Sequence, residues 1–156
     1  MNNWYTKNNN SKSMRVKLKD HQQYIFSTTI RTRITDLNYG GHVGNEMMLI
    51  FAQQARVDFL NSLGYGELTL AGKGIIMTDA AVVYKSETHA GDTLKIELAL
   101  DDLTTIGFDL YYKISNQKTN REVARVKTGI LCFDYELKKI ATLPTEVVDK
   151  INALLG

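Results

Sequence analysis

The chain has 156 residues, 44% of them apolar and 23% charged, which suits one domain with a real core rather than two domains. A net charge of +2, with basic residues spread along the chain, leaves no electrostatic footprint for nucleic acid. The single cysteine, Cys132, excludes an intramolecular disulfide framework and a cysteine-based metal cluster.

Residues 1–20 are rich in Asn, Lys and Ser, and they read as a flexible, solvated tail ahead of one domain over residues 21–156. The opening "MNNWYTKNNNSKS" has no apolar stretch of the kind a secretory signal carries. No apolar run approaches the roughly 18–20 residues that span a bilayer. A cytoplasmic protein without a membrane partner is the expectation.

"YIFSTTIRTRI" sets Tyr24, Phe26, Thr28 and Ile30 against Ser27, Thr29, Arg31 and Arg33, the alternation of a strand. The segment "NEMMLIFAQQARVDFLNSL" changes period. Met48, Phe51, Ala52, Ala55, Phe59 and Leu63 follow helical spacing, while Gln54, Asp58 and Asn61 share a polar strip. Met47, Leu49 and Ile50 widen the apolar surface, which predicts a helix wrapped by other structure. Gly64 stands where a C-cap glycine belongs.

From Lys73 onward the pattern is β. "GIIMTDAAVVYKS" is a strand, followed by the polar turn "ETHAGD". "TLKIELAL" puts Leu94, Ile96, Leu98 and Leu100 on one face, and "GFDLYYKIS" does the same with Phe108, Leu110, Tyr112 and Ile114. "SNQKTNRE" is a hairpin loop leading into the long strand "VARVKTGILCFDY", where Cys132 reads as a small core residue rather than a nucleophile. The only proline, Pro144, opens a short terminal helix, "PTEVVDKINALL". A strand, a helix and four strands joined by short turns predict an α+β domain, an antiparallel sheet curled around a central helix.

In this order of elements, "DLNYGGHVGNEMMLIFAQQARVDFLNSLGY" resembles the acidic loop, Gly-His-Val turn and central helix of the hotdog-fold acyl-CoA thioesterases, specifically the 4-hydroxybenzoyl-CoA thioesterase-like branch. "YKSETHAGDTLKIEL" and "FDYELKKIATLP" are similar to later passages of that branch, so the likeness runs from about residue 24 to residue 147. The resemblance implies a hotdog fold, a curved antiparallel β-sheet wrapped around a long central α-helix. It implies hydrolysis of an acyl thioester, carried on coenzyme A or an acyl carrier, to a free acid and a thiol. It also implies a homodimer or a dimer of dimers, with sites between subunits. No cofactor is implied, because coenzyme A belongs to the substrate.

Thioester hydrolysis needs a carbonyl polariser and an activated nucleophile. The unpaired N–H groups and positive dipole end of a helix start supply the first, so the amides around His42–Asn45 are expected to face the thioester oxygen. Gly40, Gly41 and Gly44 allow close approach to the main chain, and serve a tight turn equally well. Tyr39 and Val43 complete the loop that would bind substrate.

Aligned on Gly-His-Val, the resembling branch has two acids separated by one residue, the second being the functional one. Here those positions are Asp36 and Asn38. Asn38 orients a water or donates a hydrogen bond but cannot be a base. Asp36 either positions water or caps the turn and pairs with Arg33. Glu46, in the expected first helical turn, is the other candidate acid, and acids also favour that place for dipole reasons alone. His42 orients or protonates the leaving thiolate, or hydrogen-bonds the acyl carbonyl. Asn45 holds water or caps the helix.

Lys85 and Arg125, with Lys127, are candidate cations for the phosphates of coenzyme A. Met47, Met48, Phe51 and Tyr84 are candidates for an apolar acyl pocket. His21, His42 and His89 are scattered in sequence and show no metal-ligand spacing. Two other readings stand beside the thioesterase: a hotdog acyl dehydratase, and a non-catalytic hotdog protein that binds acyl thioesters.

Overall fold

Alternating burial along the strands is what builds the sheet. The computed structural model describes residues 15–156. Strand β1 (Phe26–Arg31) is followed by a 3-10 turn (Ile34–Asp36) and helix α1 (Met47–Ser62). Then come β2 (Gly74–Tyr84), β3 (Thr93–Asp101), β4 (Gly107–Asn116), β5 (Glu122–Asp134), the short β6 (Lys139–Ile140) and helix α2 (Thr145–Leu155). The strands form one antiparallel sheet in the order β1-β3-β4-β5-β2, with β6 added to β5.

Leu94, Ile96, Leu98, Leu110, Tyr112 and Ile114 are buried, as the period-two pattern requires. The registers Ile96 to Ile114 and Leu98 to Tyr112 stack these side chains in cross-strand pairs on the face that meets α1. Met47, Met48, Phe51, Ala52, Ala55, Phe59 and Leu60 enter the same core from α1. Gly64 takes φ +84° just beyond the last helical turn, the left-handed conformation that glycine adopts without strain.

The helix departs from expectation in three ways. It has 16 residues, so it is shorter than the long central helix expected. It starts at Met47 with Glu46 at the N-cap, and neither Glu46 nor Asn45 supplies a side-chain cap. Instead, Met47, Met48 and Leu49 donate to the carbonyls of Gly44, Asn45 and Glu46 in a tight first turn. The chain also does not wrap it fully, because Leu49 and Ile50 stay exposed beside Met77 of β2. Arg56, which falls among the apolar positions, is buried and donates to Glu67 at 2.6 Å.

Of the expected tail, residues 1–14 lie outside the described residues. Residues 15–20 are not free along their length. Lys19 pairs with Asp101, and Asp20 lies 3.5 Å from Arg125. No helix among the described residues is long and apolar enough to cross a membrane.

The topology decides where the loops meet. Since β1 and β2 are opposite edges of the sheet, both the β1–α1 loop and the β2–β3 link must cross between them at one end. They are stitched together there. Thr32 donates its N–H to the carbonyl of Asp92, Gly91 donates to Thr32, and Val43 donates to Thr88 at 2.9 Å.

Candidate active site

The β1–α1 loop is organised by its two short polar side chains. The Asp36 carboxylate is only 3% exposed and accepts from the Arg33 N–H at 2.8 Å and from the Arg33 guanidinium at 3.2 Å. Two residues on, the Asn38 amide oxygen accepts from the N–H groups of Gly40 at 2.9 Å and His42 at 3.4 Å, while its backbone N–H donates to the His42 carbonyl. This is an asparagine turn, in which the side chain stands in for a backbone acceptor. Gly41 completes it at φ +78°.

The β2–β3 link is equally fixed. Asp92 accepts from the Thr88 hydroxyl at 2.8 Å and from the His89 N–H at 2.9 Å. Those bonds, the His89 N–H first, hold its carboxyl below the ordinary carboxylate value. On the other side the Thr32 hydroxyl donates to the His89 carbonyl at 2.5 Å.

Between the two loops lies a cleft of about 320 Å³. Asn38, His42, Val43 and Asn45 line it from one loop, Met48 from α1, and Tyr84 to Thr88 from the other. His42 Nδ1 lies 3.1 Å from a carboxylate oxygen of Glu87, and the His42 and His89 ring centres are 5.2 Å apart. The Tyr84 hydroxyl donates to the Asn45 carbonyl at 3.1 Å, tying the end of β2 to the helix start.

The amides near the helix start divide into two groups. Those of His42, Val43 and Gly44 are engaged, by Asn38, Thr88 and Asp36 respectively. Among the described residues, the N–H groups of Asn45 and Glu46 have no acceptor within the chain. The amide set expected around His42–Asn45 therefore narrows to its C-terminal edge.

The cleft brings together Asn38, His42, Val43, Asn45, Lys85, Met48 and Tyr84 from the candidates. Asp36 is buried beside Arg33 and does not line it. Glu46 is exposed at the N-cap, with its carboxylate folded back over Gly44. Tyr39, Gly40 and Gly41 form an exposed loop tip. Met47 and Phe51 are core.

Arg125 lies elsewhere, at a small groove shared with Tyr24 and Tyr111. Its guanidinium is bound by Glu122, which raises its pKa. Lys127 is likewise paired, with Asp79 and Asp109. The cleft residues that sequence reasoning misses are Ser86, Glu87 and Thr88, and of these Glu87 bears the charge. It stands in a turn whose only local feature is polarity, and the one sign is its place at the end of a strand.

Residues 32–151 match the family model described as the thioesterase-like superfamily. The chain belongs to this superfamily. Solved structures agree on the fold. A putative thioesterase from Pseudomonas aeruginosa is 20% identical with a TM-score of 0.76, the match covering 86% of this chain and 100% of that one. A 1,4-dihydroxy-2-naphthoyl-CoA thioesterase from Synechocystis is 21% identical with a TM-score of 0.71, over 80% of this chain and 96% of that one. A probable thioesterase from Escherichia coli is 23% identical with a TM-score of 0.70, over 83% and 98%. No curated protein matches the chain in sequence. The family and its hotdog neighbours bear out the resemblance read from the Gly-His-Val loop and the helix beyond it.

Proposed function

We propose that this superfamily member is an acyl-CoA thioesterase that activates water with His42, oriented by Glu87, in place of the acid that Asn38 lacks. The observation that carries this reading is the His42–Glu87 pair at 3.1 Å inside the cleft at the helix start. A carboxylate on Nδ1 holds the imidazole in one tautomer, leaving Nε2 to take a proton from water. The water oxygen adds to the thioester carbon as its proton passes to Nε2. The N–H of Asn45, at the positive end of α1, receives the developing oxyanion. Collapse of the tetrahedral intermediate breaks the carbon–sulfur bond, and His42 returns the proton to the leaving thiolate. Atoms and charge balance without a cofactor; coenzyme A enters and leaves as part of the substrate.

In this reading Asp36 and Asn38 hold the loop rather than the water. Glu46, whose carboxylate folds back over Gly44, takes no part in the proton transfer, and its negative charge works against the oxyanion rather than for it. Lys85, exposed at the cleft, meets a phosphate of the carrier, while Met48 and Tyr84 contact the acyl group. Arg125 is the weaker cation candidate because Glu122 and Asp20 already face it. The exposed Leu49, Ile50 and Met77 support self-association through α1 and the edge strand β2, which would complete the wrapping of the helix.

The non-catalytic binder remains the competing reading because the Asn38 side chain is already committed to the turn. Release of free thiol from short, long and aromatic acyl-CoAs separates the two. Turnover is expected on at least one, and His42→Gln is expected to lower it by about 10²–10⁴-fold, as loss of a positioned base does. Thioesters bound but left intact would establish the binder. Turnover unaffected by His42→Gln would remove His42 from the chemistry.

A further inference from the structure

Two of the three histidines, far apart in sequence, meet at the cleft, His42 lining it and His89 beside it with the ring centres 5.2 Å apart. We propose that His42, Glu87 and His89 form a three-ligand site for a divalent transition-metal cation, with Zn²⁺ the reference ion. Each residue offers one ligand atom, and these atoms all lie within 4.8 Å of one another. A tetrahedral Zn²⁺ with bonds of about 2.0–2.2 Å needs neighbouring ligand atoms roughly 3.3–3.6 Å apart. The 3.1 Å between His42 Nδ1 and Glu87 is slightly tighter than that spacing and the other separations are within 4.8 Å, so small side-chain rotations would bring all three to it. Two imidazoles and one carboxylate suit Zn²⁺, Ni²⁺ or Cu²⁺ far better than Mg²⁺ or Ca²⁺, which prefer all-oxygen sites.

The backbone around the ligands is built rather than loose. The His89 N–H is held by Asp92 and its carbonyl by Thr32, and the His42 carbonyl accepts from the Asn38 N–H. The Val43-to-Thr88 bond fixes one ligand loop against the other. A cation therefore meets two histidines whose main chain is already in place, with side-chain rotation left to order. It would leave coordination positions open to the cleft.

The site goes beyond the thioester reading and stands without it. One consequence does rest on that reading: a bound cation takes Glu87 and His42 out of the water-activating pair.

The test is calorimetric titration of the untagged, chelator-treated full chain with Zn²⁺ and no substrate, so failure of the hydrolysis reading leaves it untouched. One Zn²⁺ per chain is expected, with Mg²⁺ giving no signal. Loss of a partner in the outer shell already costs about 10–100-fold in metal affinity, so His89→Ala and Glu87→Gln, which remove ligands, are each expected to weaken binding at least that much. Histidine NMR resonances are expected to shift at His42 and His89 and stay in place at His21. Absence of Zn²⁺ binding, undiminished affinity in both variants, or a shift confined to His21 would each overturn the site.

Discussion

Asp36 and Asn38 stand two residues apart in the loop, yet the folded chain uses them as hydrogen-bond acceptors for its own backbone. For Asp36 the stability and activity consequences separate cleanly. Asp36→Asn loses charge-assisted acceptance from Arg33 at a buried position, so it is expected to cost about 1.5–3 kcal/mol in thermal or denaturant unfolding. Turnover per folded molecule should then fall by much less than the roughly 10²–10⁴-fold that loss of a catalytic base brings. A loss in that larger range, with stability unchanged, would return Asp36 to the chemistry. At position 38, an aspartate retains the oxygen that accepts from Gly40 and His42, whereas alanine does not. Asn38→Ala is expected to unfold about 1 kcal/mol more easily and Asn38→Asp close to the wild type, measured side by side in denaturant.

The two loops act as one unit because their hydrogen bonds cross between elements. Thr88, His89 and Asp92 form a self-contained turn, and Thr32 and Val43 bolt it to the ends of β1 and α1. The carboxyl of Asp92 is held below its ordinary pKa when folded, so the turn's stabilisation is fully present above the unfolded carboxylate value. It is lost only as the pH falls through the lower, folded value. Protection of the His89 amide against hydrogen exchange, corrected for the intrinsic rate, is therefore expected to be constant from neutral pH down to the ordinary carboxylate range and to drop below it. Loss of protection already near neutral pH would mean that Asp92 does not hold the turn. The helix start illustrates the same dependence on neighbours. "NEMM" carries residues that cap well, yet the first turn is closed by backbone bonds alone, and Tyr84 claims the Asn45 carbonyl.

As a whole, the molecule leaves one face of α1 unfinished. Leu49, Ile50 and Met77 lie exposed around a hollow of about 100 Å³ that also reaches Arg56 and Thr128, next to the edge of β2 that no strand among the described residues pairs. An apolar helix face beside a strand with one open edge favours a second copy, which would cover the side chains and extend the sheet. Sedimentation velocity of the wild type is expected to give a dimer or a dimer of dimers, and Ile50→Asp with Met77→Asp to give a monomer. A wild type that sediments as a monomer at all concentrations would remove self-association from the proposal.

Local rules were enough to read the strands and the place of the helix, though not the helix's length, start or degree of wrapping. The period-two alternation of "TLKIELAL" and "GFDLYYKIS" reappears as buried Leu94, Ile96, Leu110 and Ile114, because a strand has no other way to sort its faces. The helical spacing of Phe51, Ala55 and Phe59 and the glycine after Leu63 likewise carried through. The family, too, was legible in the Gly-His-Val loop and the apolar helix beyond it. Tertiary structure alone decided the partners. Glu87 and His89 reach His42 because β1 and β2 occupy opposite sheet edges, which forces the loops leaving them to cross at one end. Arg56 is buried because Glu67 lies within reach of its guanidinium, a pairing made by a loop beyond the helix. Side-chain periodicity is a property of neighbours along the chain, whereas the meeting of two loops depends on strand order, and no local pattern encodes that.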